Sequence, residues 1–186
     1  TGEFADLPRI FALAWELTEH TDSQLDLSVL ASIIKSYQRV EPLTIAELWS
    51  LSVVLGVVLI ENLRRIGQQV IKARLERERA NTLADELLDL HGAELSQPKA
   101  PDVDGLLREL DQGTPLPVPF AAQLLQRLRD QGDVGAKVHA WLEHKLQQQD
   151  LSTEEAVHHE HSRQASANVT TRNIITSLRW CAALDW

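Results

Sequence analysis

Apolar residues recur at three- and four-residue spacing along nearly the whole chain. That period puts them on one side of a helix, whereas a strand would need alternation. Glycines and prolines number 8 and 7 in 186 residues, so few positions force a break. The pattern predicts an all-α fold: a multi-helix bundle of six or seven helices with a long central helix.

Local signals place the elements. Asp6 can cap a first helix with Pro8 in its first turn, burying Leu7, Ile10, Phe11, Ala14 and Leu17. The turn HTDSQLD, 20–26, ends in Asp26, which can cap a second helix burying Leu27, Leu30, Ile33 and Ile34. Thr44 and Glu47 form a capping box, with hydroxyl and carboxylate each accepting from the other residue's amide, and open a third helix running to about Leu90. The segment HGAELSQPKAP, 91–101, predicts a break. Asp102 caps a short fourth helix, and QGTPLPVP breaks the chain again. Helices over 119–131 and 134–149 follow, separated by Gly132. Ser152 and Glu155 make a second capping box for a last helix reaching about 184. There is no internal repeat of fixed period.

The uncharged run Leu48–Ile60 decides between core and membrane. Its 13 residues make about 20 Å of helix, short of the roughly 20 residues that cross a bilayer. It predicts a buried core helix, with membrane insertion as the alternative. Past Ile60 the pattern narrows to a stripe of Leu63, Ile66, Val70 and Leu75, as for a helix leaving its bundle.

A net charge of −9, from 27 acidic and 18 basic side chains, argues against a nucleic-acid binder, which needs a basic surface. Cys181 is the one cysteine, so neither an internal disulfide nor a cysteine zinc cage is possible. The absence of methionine and the apolar ending SLRWCAALDW suggest a single helical domain, 1–186, excised from a longer chain, with a subdivision near 92–101.

Candidate chemistry is sparse. In VHHEH, 157–161, His158 and His161 share a helical face one turn beyond Glu154 and Glu155, and zinc accepts such ligands. The sequence is not HExxH and offers no second ligand set, so a solvated helix face is expected there. Six basic residues between Arg64 and Arg79 could meet anionic headgroups or an acidic partner, or be an exposed face laced by pairs such as Glu61–Arg65. Trp15, Trp49, Trp141, Trp180 and Trp186 lie in apolar stripes, which favours packing over sugar stacking. Asn168 heads an NVT triplet inside a predicted helix. No P-loop, GxGxxG, nucleophile elbow or catalytic carboxylate pair is present, so no catalytic, cofactor-binding or metal residue is assigned and no cofactor is expected.

The stretches LPRIFALAWEL at 7–17, HTDSQLD at 20–26, SYQRVEPLTIAELW at 36–49, LIENLRR at 59–65 and NIITSLRWCAALDW at 173–186 carry a resemblance. In this order and spacing the chain resembles the N-terminal cytoplasmic helical region of the cyclic β-1,2-glucan synthases. The resemblance implies a parent glycosyltransferase of the bacterial inner membrane that polymerises glucose from UDP-glucose and cyclises the glucan. It implies no catalytic residue here, since none of that family's sugar-nucleotide, metal or phosphorylase motifs falls in these stretches. Arg9, Glu16, Glu47, Glu61 and Arg64, charges set among apolar residues, are expected to form ion pairs of the bundle. The role expected is a non-catalytic scaffold or regulator on the cytoplasmic side, with other domains of the parent enzyme as partners and membrane-surface contact through that parent. A stand-alone interaction adaptor and a glucan-binding module are the alternatives. On a helical wheel Ile174, Ile175, Leu178, Cys181 and Ala182 face one way, and Trp180 and Leu184 the other. Exposure of the latter two, with weak homo-oligomer formation, is expected.

Overall fold

The computed structural model describes residues 7–94, 103–110 and 115–183. These form seven helices and no strand: α1 (Arg9–His20), α2 (Leu27–Gln38), α3 (Ile45–Glu94), α4 (Val103–Leu110), α5 (Val118–Leu128), α6 (Gly132–Gln147) and α7 (Thr153–Ala183). The all-α expectation holds, and α3 is the long helix, at 50 residues.

The caps form as their local chemistry dictates. The Asp26 carboxylate accepts from the Ser28 and Val29 amides. Glu47 Oε2 accepts from the Thr44 amide at 2.7 Å while Thr44 Oγ1 accepts from the Glu47 amide at 3.2 Å. Ser152 and Glu155 repeat this box at 2.8 and 3.1 Å. Asp6 and Asp102, expected as caps, lie outside the described residues, and Pro8 occupies the cap position of α1. Between α5 and α6, Gly132 takes φ +55°, and Gly135 lies so close under the Leu128 carbonyl that a Cβ would collide with it.

The chain packs as two compact units. The first comprises residues 1–68 and 165–186, the second residues 69–164. The boundaries fall within α3 and α7; of the segment 92–101, where a subdivision is expected, residues 95–101 lie outside those described. The physical reason is that each unit has its own core. In the first, Ile10, Ala14 and Leu17 of α1 meet Leu30 of α2 and Leu51, Leu55 and Val58 of α3. In the second, Ala80, Ala84 and Leu87 of α3 meet Leu107, Phe120, Leu124, Val138, Leu142 and Ala156.

Burial corrects two readings of α3. The run 48–60 is not core on all sides. Leu51, Leu55, Val58 and Leu59 are buried, whereas Trp49, Val53, Val57 and Ile60 are exposed. Further on, Val70 and Leu75 are exposed, and the buried stripe is Ala73, Ala80, Leu83, Ala84 and Leu87. By length and composition α3 is also the one helix among those described that could cross a membrane, a test that core helices pass as well.

Candidate functional site

Three polar clusters organise the described residues, and all three fasten helices. The first joins α1 to the start of α3. The Arg9 guanidinium donates to both Glu47 oxygens, at 2.6 and 2.8 Å, to Glu41 at 2.5 Å and to the Pro42 carbonyl at 2.9 Å. Glu47 thus closes its capping box and an ion pair at once. Hydrogen bonds from Arg9 and then from Thr44 hold its carboxyl at about 2, below the usual 4.5. Of the other charges expected to form ion pairs of the bundle, Glu61 bonds instead within its own helix and towards solvent, to Arg64 at 2.6 and 2.7 Å and to Arg65 at 3.3 Å. Glu16 reaches only His20, on the surface.

The Glu47 shift has a defined consequence for stability. The folded state binds this proton less readily than the unfolded chain, so the contribution of Glu47 is fully present above its usual pKa of 4.5. It is lost as pH falls towards about 2. Glu47→Gln is expected to lower the melting temperature at neutral pH and to flatten its decline across that acid window. Melting curves taken through the window check this; a variant with an acid profile parallel to the wild type's would contradict it.

The second cluster is the turn 21–25. Asp22 and Ser23 take φ +49° and +60°, a left-handed conformation that carries a penalty outside glycine. Bonds around the turn hold it in place. The fully buried Ser23 donates its amide to the Thr18 carbonyl at 2.7 Å, and its hydroxyl accepts from Asn62 of α3 at 2.7 Å. Ser177 of α7 donates to the Ser23 carbonyl at 2.7 Å and accepts from the Leu25 amide at 2.9 Å. Thr170 and Asn173 bond Asp22 at 2.6 and 3.1 Å. The stretches HTDSQLD, LIENLRR and NIITSLRW, distant in sequence, therefore meet here.

This turn also overturns the wheel drawn for the last helix. Thr170, Ile174 and Ser177 are the buried face, while Ile175 is 42% exposed. Trp180 is half-buried against the first core with Cys181, not exposed, because the Ser177 bonds rotate the helix towards it. Leu184 and Trp186 lie outside the described residues. Burial pushes the Cys181 thiol up, and a backbone hydrogen bond offsets part of that.

The third cluster lies in the second unit. Glu160 is buried, with Arg77 donating to it at 2.6 Å, Arg163 at 2.8 and 2.9 Å and Gln164 at 2.8 Å. Burial would raise its carboxyl pKa, but the bonds from Arg163, Gln164 and Arg77 outweigh that and hold it low. Its sequence neighbours His158 and His161 are exposed instead, on an open groove of about 740 Å³ that His139 and Glu154 also line. Among the described residues no group of three or more His, Cys, Asp or Glu is placed to hold a metal.

The basic segment is laced by pairs, Arg74–Glu78 at 2.9 Å and Arg79–Glu76 at 2.9 Å besides those named. Among the described tryptophans only Trp49 is exposed, at 74%; Trp15 is half-buried with the Arg65 guanidinium 4.5 Å above its ring, and Trp141 is half-buried on the second core. Sequence reasoning pointed to the histidines and missed Glu160. The available signal was a lone carboxylate three residues before Arg163.

Fold and clusters together define an all-helical protein in which the three polar clusters link helices. Over 180 residues the chain is 37% identical to the cyclic beta-(1,2)-glucan synthase NdvB of Rhizobium meliloti (strain 1021). It is a sequence relative of the cyclic β-1,2-glucan synthases, as its resembling stretches imply. The match takes in 97% of this chain and 6% of that synthase's length. No family model matches the chain.

Proposed function

We propose that this chain is a non-catalytic helical scaffold or regulatory segment of a cyclic β-1,2-glucan synthase-like enzyme. The parent would polymerise glucose from UDP-glucose at the bacterial inner membrane, with this segment on the cytoplasmic side and the other domains of the enzyme as its partners. The observation that carries the reading is where the resembling stretches go. Arg9, Glu41 and Glu47 converge in one ion-pair cluster, and Asp22, Ser23, Asn62, Asn173 and Ser177 in one turn. Residues arranged to brace helices suit a segment that keeps its shape for the rest of an enzyme. A glucan-binding module would need at least two exposed tryptophans along one groove, and among the described residues Trp49 alone is exposed.

Two experiments test this. The purified segment with labelled UDP-glucose and Mg²⁺ or Mn²⁺ is expected to incorporate no glucose, since it lacks the metal–diphosphate and carboxylate-pair chemistry of transfer and cleavage. Heat-sensitive incorporation that survives repurification would overturn the non-catalytic reading. A membrane synthase bearing this segment is expected to lose glucan synthesis when Leu55→Asp unfolds its first unit. Undiminished synthesis would point instead to a stand-alone adaptor role.

A further inference from the structure

The outer face of α3 is the largest feature that the clusters leave unexplained. Ile45, Trp49, Val53, Val57 and Ile60 are 69%, 74%, 67%, 51% and 58% exposed. At 100° per residue they form one stripe opposite Leu51, Leu55 and Val58, which face the first core. No charged residue interrupts α3 between Glu47 and Glu61. Monomers seldom leave so continuous an apolar strip in water.

We propose that this face is the interface of an antiparallel two-fold dimer of the chain. Area and shape both favour a second copy. The five residues expose roughly 600 Å² per copy, so pairing two faces would bury at most about 1,200 Å², the lower end of specific interfaces. A two-fold axis passing between Ser52 and Val53 sets Ile45 against Ile60 of the partner subunit, and Trp49 against Gly56 of the partner subunit. That register puts the largest side chain over the smallest. The space above Gly56 is open, with nothing within 4 Å of where a Cβ would stand, so an indole can seat there. Axes can then approach to the 8–10 Å of close helix packing. An anionic bilayer is the weaker occupant, because the chain carries a net charge of −9.

Sedimentation of the 186-residue chain is expected to show a monomer–dimer equilibrium in the micromolar range, with no larger species, because a two-fold pairing closes. Trp49→Ser should weaken it by about 30-fold or more. Val53→Asp, which places two carboxylates near the axis, should leave a folded monomer. Gly56→Leu is the stricter variant. Leucine is the better helix former and its Cβ has nothing within 4 Å in the monomer, so the melting temperature should hold or rise while association is lost. Monomer at every concentration overturns the proposal. A dimer that survives Val53→Asp and Gly56→Leu also overturns it, since the contact then lies elsewhere. A monomeric wild type that binds phosphatidylglycerol–phosphatidylethanolamine vesicles, and stops doing so on Trp49→Ser, overturns it in favour of lipid.

Discussion

Leu55→Asp is expected to unfold the first unit, while Val53→Asp, two residues away on the same helix, leaves the monomer's stability within about 0.5 kcal/mol of the wild type. Leu55 is fully buried in a cluster of apolar side chains that includes Leu51, Val58 and the α1 residues of the first core. An unpaired charge placed there costs about 5 kcal/mol or protonates with a similar penalty, a large part of a typical domain's stability. Val53 is 67% exposed, so aspartate there remains in water. Circular dichroism melts, at concentrations where sedimentation finds monomer, distinguish the two. Equal losses at both positions would mean that the run 48–60 is enclosed on all sides.

Glu160→Ala is expected to be the most damaging change among the charged residues, at about 3 kcal/mol. The Glu160 side chain is 3% exposed, and Arg77 and Arg163 beside it are 24% and 29% exposed. Alanine would leave two guanidinium groups partly buried with their shared carboxylate gone. Glu160→Gln keeps an acceptor and should lose less. Replacing all three residues by apolar ones of similar volume should recover much of the deficit, since a buried ion cluster is bound more by mutual need than by net attraction. Arg74→Ala removes an exposed pair and should change stability by less than about 1 kcal/mol. Denaturant titrations of these variants check the order. A Glu160→Ala protein as stable as Arg74→Ala would show that the carboxylate is solvated.

The three clusters differ in how far they could be read in advance. The Thr44–Glu47 and Ser152–Glu155 boxes were legible because both partners sit three residues apart and need nothing but a helix start. That Glu47 also receives Arg9 was foreseeable only as a charge among apolar residues in want of a partner, since 38 residues separate the two. The left-handed turn at Asp22 and Ser23 carries no glycine to announce it, and its partners Ser177 and Thr170 lie some 150 residues on. The histidines of VHHEH drew attention through their chemistry, yet the residue among them that the fold uses is Glu160.

By itself the sequence determined the helices, the caps at Asp26, Thr44 and Ser152 and most approximate ends, because these depend on spacing and on contacts within one turn. It also carried the relationship to the cyclic glucan synthases. Tertiary structure alone decided which side of each long helix faces inward. On α3 the run 48–60 is uncharged all round, so a wheel does not choose between Leu55 and Val53; packing against α1 chose. On α7 the wheel favoured Ile175, but hydrogen bonds from Ser177 to Ser23 and Leu25 turned a polar residue inward and drew Trp180 against the core. A polar side chain is buried only where its partners wait, and those partners belong to segments that local periodicity does not see.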